Sequence, residues 1–119
     1  MQDKIVINDY IENDPLSEEN LDKTLKTVDE IRLSLPNKSI WLYSGYDYQK
    51  VMRQLPNLAT KENYNMYKRQ QIIKQCTVMV DGRYIDSQRN PSKKWAGSDN
   101  QRIISIAESL KQGKVITLE

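Results

Sequence analysis

The sequence of 119 residues contains no histidine, no phenylalanine and a single cysteine, Cys76. Without histidine, the chain lacks the commonest metal ligand and the usual proton carrier near neutral pH. One cysteine can neither close an internal disulfide nor supply the several thiolates that an iron–sulfur cluster requires. We therefore predict no metal ligands and no catalytic residues in this chain. Cys76 is interpreted as a small buried side chain of a reduced, cytoplasmic protein.

Long hydrophobic runs are also missing. The longest, from Ile40 to Tyr43, is far too short to cross a bilayer, and the amino terminus lacks the apolar core of a signal peptide. The net charge of +2 is too small to indicate a nucleic-acid partner. We expect one domain, residues 1–119, with a single core and no membrane contact.

The order of short apolar runs and amphipathic stretches predicts alternating strands and helices. Leu21, Leu25, Val28, Ile31 and Leu35 repeat at helical spacing, after Ser17 as an N-cap and before the stop at Pro36. The other predicted elements are strands at 4–8, 39–43, 76–80 and 114–118, and helices from Asp47 to about Leu55, within 58–75 and over 105–112. Residues 83–86 extend or pair with the third strand, 89–100 form an irregular loop, and 102–105 are a short strand or the start of a helix. The βαβ order predicts an α/β fold with a mostly parallel sheet and flanking helices.

Two turns follow predicted parallel strands: Ser44-Gly45-Tyr46 and Asp81-Gly82-Arg83. Ligands of open α/β sheets bind beyond the carboxyl ends of the strands, so these turns are candidate binding elements. A glycine lets a ligand approach the backbone, an aspartate can accept from a ribose diol, and an arginine can pair with a carboxylate. The spacing alone equally fits simple strand-ending turns.

A cluster of cations lies between Arg83 and Arg102. Five basic residues stand against two aspartates there: Arg83, Arg89, Lys93, Lys94 and Arg102. A solvated loop is one interpretation, because such clusters are common on surfaces. The other is an anion-binding or partner-docking loop with Trp95 as an aromatic anchor.

Three segments together resemble one known family. They are IWLYSGY at 40–46, VDGRY at 80–84 and WAGSDNQR at 95–102. They closely resemble the carboxy-terminal part of anaerobic ribonucleoside-triphosphate reductase activating proteins, which are radical-SAM enzymes with partial β/α barrels. The resemblance covers residues 14–119, while residues 1–13 are diverged or unrelated. It implies that the fold of this chain is a half barrel.

The resemblance also implies roles for particular residues. Ser44, Gly45, Asp81 and Arg83 would lie near S-adenosylmethionine in the pocket of an intact member. The loop specific to the family would dock on the reductase through Trp95, Gly97, Ser98, Asn100, Gln101 and Arg102.

The chain departs from the family where the chemistry lies. The family carries a 4Fe-4S cluster on a CxxxCxxC motif, and nothing of that motif is present. The family motif SGGDPL appears as Ile11-Glu12-Asn13-Asp14-Pro15-Leu16, with both glycines replaced. Side chains at these close-approach positions are expected to crowd a ligand and to oppose the backbone conformation that glycine allows.

Three hypotheses follow from these observations. In the first, the chain is a truncated or fragmentary activating protein that is inactive alone; an intact member cleaves S-adenosylmethionine reductively and places a glycyl radical on the reductase. We then expect no cofactor in this chain by itself, with residual nucleoside binding at the strand ends as a third and weaker hypothesis. In the second, Met1 begins a self-contained binding or regulatory module that docks on the reductase or on another protein. A half sheet exposes an edge and an apolar face, so a homo-oligomer is also expected.

Overall fold

The computed structural model describes residues 4–118, which fold into one layer of sheet with helices packed against it. The helices and strands are, in chain order, β1 (Lys4–Val6), α1 (Leu21–Ser34), β2 (Ser39–Ser44), α2 (Tyr48–Val51), α3 (Lys61–Lys74), β3 (Val78–Asp81), β4 (Arg102–Ser105) and α4 (Ile106–Gln112). No helix among residues 4–118 is long and apolar enough to span a membrane.

The sheet has the order β1-β2-β3-β4 and is open. The first three strands are parallel, and β4 runs antiparallel to β3 with Asp81 opposite Arg102. Helices α1 and α3 connect the parallel strands, as a βαβ arrangement requires. The predicted class, α/β with a mostly parallel open sheet and flanking helices, is confirmed.

The two faces of the sheet are covered differently. Ile40, Leu42 and Met79 have no exposed surface and pack in the larger core, to which α1 and α3 also contribute. Trp41 and Val80 belong to a second, smaller cluster on the other face, where they are covered by Trp95 and its neighbours. The loop between β3 and β4 therefore covers this second face.

Several predicted boundaries were wrong. The first strand ends at Val6 and a 3₁₀ turn, Ile7–Asp9, follows it. Ser17 does not cap α1 with its side chain; its hydroxyl donates to the Asp14 carbonyl at 2.9 Å, and a 3₁₀ turn precedes the helix. Helix α2 ends at Val51 rather than near Leu55. The third strand is shifted to Val78–Asp81.

The end of the chain also differs from expectation. Residues 83–86 do not pair with β3; residues 83–85 are irregular and Asp86–Gln88 form a 3₁₀ turn. Residues 102–105 are a strand rather than the start of a helix. The predicted closing strand at 114–118 is reduced to an isolated bridge between Thr117 and Ile104. By contrast, Gly113 ends α4 with φ of 68°, as predicted for a C′ glycine.

Candidate functional site: a pocket at the strand ends

A pocket of about 650 Å³ lies at the carboxyl ends of the three parallel strands. It is lined by the segments that follow β1, β2 and β3, including Asn13, Asp14, Ser44, Gly45, Gly82 and Arg83. This is the edge at which open α/β sheets bind ligands. Three of the four residues expected near a cofactor, Ser44, Gly45 and Arg83, are brought together here.

Asp14 ties the segment after β1 to the end of β2. Its carboxylate accepts hydrogen bonds from the Ser44 hydroxyl at 2.9 Å, the Gly45 amide at 2.8 Å and the Leu16 amide at 2.9 Å. Bonds to an ionised acceptor are stronger than those between neutral groups, so this carboxylate fixes the local backbone firmly. Sequence reasoning noted that Asp14 survives from the family motif but did not place it in the site.

Asn8 performs a similar task beyond the end of β1. Its side-chain amide donates to the Tyr43 carbonyl at 2.8 Å and accepts from the Tyr43 amide at 2.9 Å. The side chain thereby continues the β1–β2 ladder where the backbone of β1 turns away. No sequence signal marked this residue.

Asn13 keeps the backbone conformation that a glycine would provide. Its φ is 65°, in the left-handed region that asparagine tolerates better than most residues. Asn13 thus occupies a conformation that favours glycine, and the expected crowding of a ligand by its side chain stays a prediction. The Asn13 side chain is exposed and lines the pocket, where a glycine would have no side chain.

Asp81, the fourth expected cofactor residue, does not line the pocket. Its side chain is 3 % exposed and accepts two hydrogen bonds from the Arg102 guanidinium, at 2.9 and 2.6 Å. The Tyr48 amide donates a third bond, at 2.8 Å. The Asp81 carboxylate also raises the pKa of Arg102 above its ordinary value. Asp81 thus joins β3, β4 and the start of α2, and it positions the residues around the pocket.

The WAGSDNQR segment is braced internally. The Gln101 side-chain oxygen accepts from the amides of Gly97 and Ser98 at 2.9 and 3.0 Å, and its nitrogen donates to the Gly82 carbonyl at 3.1 Å. Asn100 donates to the Arg83 carbonyl at 2.8 Å. These bonds fasten the loop to the turn that borders the pocket.

Ser98 and Gly97 leave little room for substitution. Ser98 is fully buried, and its hydroxyl donates to Asn100 at 2.6 Å while accepting from the Ile85 amide at 3.2 Å. A Cβ at Gly97 would lie 3.0 Å from the Tyr84 ring. Of the six residues expected to dock on a partner, Gly97, Ser98, Asn100, Gln101 and Arg102 are thus engaged in contacts within the chain.

Trp95, the expected aromatic anchor, packs on the second face of the sheet. Its ring meets Trp41 edge-on with centroids 5.4 Å apart, and its carbonyl accepts from the Tyr43 hydroxyl at 2.8 Å. Its φ of 69° places it in the left-handed region, which is costly for a bulky residue. The cations on the same loop behave differently: Arg83, Arg89 and Lys94 are exposed.

Cys76 is poorly suited to bind an iron–sulfur cluster. It is buried, and burial raises its pKa to about 12, so the thiolate that binds metal is disfavoured. Its thiol lies 3.4 Å from the Ile72 carbonyl of α3. Among residues 4–118 no three histidine, cysteine or acidic side chains form a group that could hold a metal ion. The donor set described here does not fit a four-iron cluster.

Comparisons with known proteins add the family context. A model of the 4Fe-4S single cluster domain family matches residues 13–104. The curated relatives described next carry the name anaerobic ribonucleoside-triphosphate reductase-activating protein. That of Escherichia coli K12 is 33% identical over 88 residues, which are 74% of this chain and 48% of the relative.

Two further relatives match with similar identity and coverage. The Vibrio cholerae protein is 32% identical over 90 residues, covering 76% of this chain and 49% of the relative. The protein of Enterobacteria phage T4 is 31% identical over 98 residues, covering 82% and 51%. The chain therefore spans about half the length of the curated relatives it matches. No solved structure matches it.

Proposed function

This chain belongs to the 4Fe-4S single cluster domain family, and we propose that it is the cofactor-pocket part of an anaerobic ribonucleoside-triphosphate reductase-activating protein. The observation that supports this most directly is the strand-end pocket built around Asp14, Ser44, Gly45 and Arg83. In this proposal the chain binds a nucleoside cofactor, S-adenosylmethionine, and is inactive alone.

The chemistry of the pocket suits such a ligand. Arg83 is exposed at its rim and can pair with a carboxylate. Gly45 and Gly82 border the space without side chains, and a Cβ at Gly45 would meet Asp14 and Arg83 only at ordinary contact distance. Ser44 and Asp81 would act as positioning residues, because each is already hydrogen-bonded within the chain.

Calorimetry with S-adenosylmethionine tests the pocket. Replacing Arg83 by methionine removes a charge-assisted bond, and we expect affinity to fall roughly tenfold. Arg89→Met is the matched control, because Arg89 is an exposed cation of the same loop that does not line the pocket. Equal losses in the two variants, or no binding by the unmodified chain, would count against the proposal.

We further propose that the 119-residue chain does not assemble the cluster by itself. The single cysteine is buried with its pKa raised, so one thiol ligand at most is present and it is poorly available. Anaerobic reconstitution with iron and sulfide is the test, and we expect no stoichiometric iron–sulfur absorbance. A four-iron chromophore on this polypeptide alone would refute the statement.

A second candidate function is docking on the reductase as a regulatory module. The exposed cations Arg89 and Lys94 on the β3–β4 loop favour it, because surface charge steers association with an acidic partner. The test is binding of the purified reductase by the double variant Arg89→Glu with Lys94→Glu. Unchanged binding would exclude this loop as the docking surface.

A further inference from the structure

A second groove lies between α2, the end of α3 and α4. It has a volume of about 440 Å³ and shares no lining residue with the pocket at the strand ends. Its apolar walls are formed by Met52, Leu110 and Val115. Met52 and Val115 pack against the larger core, whereas Leu110 is 43% exposed. The groove has the size of a small-molecule site, and its walls offer apolar surface to a ligand.

Tyr48 contributes a hydroxyl that has no partner in the described part of the chain. The residue is 6% exposed and lines the groove, and its backbone amide, not its hydroxyl, makes the bond to Asp81. Among residues 4–118 only Thr24 Oγ1 is a fully buried side-chain oxygen or nitrogen without a partner. The Tyr48 hydroxyl must therefore reach the surface, and the groove is where it does so.

The free polar groups around the groove are donors. Lys74 and Lys114 are exposed, and neither makes an ion pair with residues 4–118. The Gln49 side-chain oxygen already accepts from Arg102 at 3.0 Å, which leaves its nitrogen free to donate. Burial raises the pKa of Tyr48, so its hydroxyl keeps its proton and can donate as well.

The charge of the groove indicates the sign of its ligand. No acidic residue in the range 4–118 lines it, whereas two lysines do. Two unpaired ammonium groups beside a tyrosine donor fit an acceptor that carries negative charge, such as a phosphate or a carboxylate. The apolar walls fit a body without charge. The two parts of the groove together therefore match an amphiphilic anion.

We propose that this groove binds a small organic anion, with an apolar body against its walls and a phosphate or carboxylate head that faces the two lysines, while the Tyr48 hydroxyl donates to the ligand. The site is independent of the proposed function, because it lies outside the pocket that would hold a nucleoside cofactor. Neither half of the ligand suffices: exposed ammonium groups bind a bare anion weakly, and an apolar body alone leaves the donors unpaired.

Calorimetry of the 119-residue chain with two probes tests the site. The probes are 1-naphthyl phosphate and 1-naphthoate, which share an apolar body and differ in the head group. Inorganic phosphate and 1-naphthol supply the separate halves. We expect saturable one-to-one binding of at least one anionic probe, with each half weaker by roughly tenfold or more. The tighter of the two anions identifies the head group.

Tyr48→Phe separates binding from folding. The hydroxyl has no partner among residues 4–118, so its loss should leave the melting temperature unchanged. The affinity for the probe should fall roughly tenfold, because a hydrogen bond to a charged acceptor is lost. A purely structural tyrosine would give the opposite result, a lower melting temperature with unchanged affinity.

A matched set of lysine variants locates the head group. Lys74→Met and Lys114→Met each remove a cation of the groove, and each should weaken binding roughly threefold to tenfold. Lys111→Met is the control, since Lys111 is an exposed cation of α4 that does not line the groove. It should leave the affinity unchanged.

Several outcomes would overturn the proposal. They are the absence of saturable binding, equal affinity for a whole probe and for one of its halves, equal weakening by Lys111→Met, and unchanged affinity in Tyr48→Phe. Competition between the probe and S-adenosylmethionine would place the probe in the strand-end pocket and refute the separate site. If the chain self-associates and Leu110→Glu abolishes this, a second copy occupies the groove and the proposal is wrong.

Discussion

Two ion pairs in this chain have the same length and very different surroundings. The Arg102–Asp81 pair and the Lys68–Asp22 pair each join nitrogen and oxygen at 2.6 Å. The Asp81 side chain is 3% exposed, whereas that of Asp22 is 86% exposed. If burial decides what such a pair contributes, removing the two cations must have unequal effects on stability.

Replacing Arg102 by methionine is expected to lower the free energy of unfolding substantially. The change leaves Asp81 buried with only the Tyr48 amide as a donor. Removing one partner of a buried pair costs about 3–5 kcal/mol, and because Arg102 is itself 33% exposed we expect about 3 kcal/mol. In a chain of this size that corresponds to a melting temperature lower by roughly 10–15 °C.

The matched control is Lys68→Met, which also removes a cation and keeps an apolar stem. Its partner Asp22 stays hydrated, so the loss is limited to a surface pair and a cation–π contact with Tyr64, and we expect it to be clearly smaller than the loss in Arg102→Met. Urea denaturation followed by far-ultraviolet circular dichroism measures both values. If Arg102→Met costs no more than Lys68→Met, the burial of Asp81 does not increase what its ion pair contributes to stability.

The remaining predictions concern the thiol, the turn and the loop. Cys76 in the native chain should react with a thiol reagent far more slowly than in denaturant, because burial raises its pKa to about 12. The contribution of the protonated, buried thiol to folding stability is complete below the ordinary pKa of 9.0 and is lost as pH rises toward 12. Rapid native labelling would contradict this. Asn13→Gly should leave the melting temperature unchanged or raise it, while Asn13→Ala should cost about 1 kcal/mol because of the φ of 65°. Equal melting temperatures of the glycine and alanine variants would show that this position is not strained. Ser98→Ala should cost about 1–3 kcal/mol in urea denaturation because buried partners lose their bonds; a loss below about 0.5 kcal/mol would refute the bracing role.

The elements with regular patterns were predictable from the sequence. The spacing of Leu21, Leu25 and Val28 predicted α1, and the apolar run from Ile40 predicted β2 with its place inside a parallel sheet. The resemblance carried by three short motifs is confirmed by the family match and by the relatives. These features depend on neighbouring residues, which a sequence displays directly.

The placement of Asp81 was beyond such reasoning. Its position follows from the antiparallel register of β3 and β4, which sets Asp81 opposite Arg102 across 21 residues of chain. Nothing local in the four residues of β4 determines its direction. The same limit applies to Trp95, whose partner Trp41 lies on a strand far earlier in the sequence. A residue that matches a family's motif can therefore have a structural role instead of a binding role, and only the fold distinguishes the two.

The contact between Trp41 and Trp95 makes the intrinsic fluorescence of this protein a local probe. These are the two tryptophans of the chain, and they meet on the face of the sheet opposite the helices. Tryptophan emission, excited at the red edge of the absorption band, will thus report whether the β3–β4 loop rests on the sheet. It will not report whether α1 or α3 is intact. A ligand that lifts the loop would change the spectrum without changing helicity, so fluorescence and circular dichroism recorded together separate loop movement from unfolding.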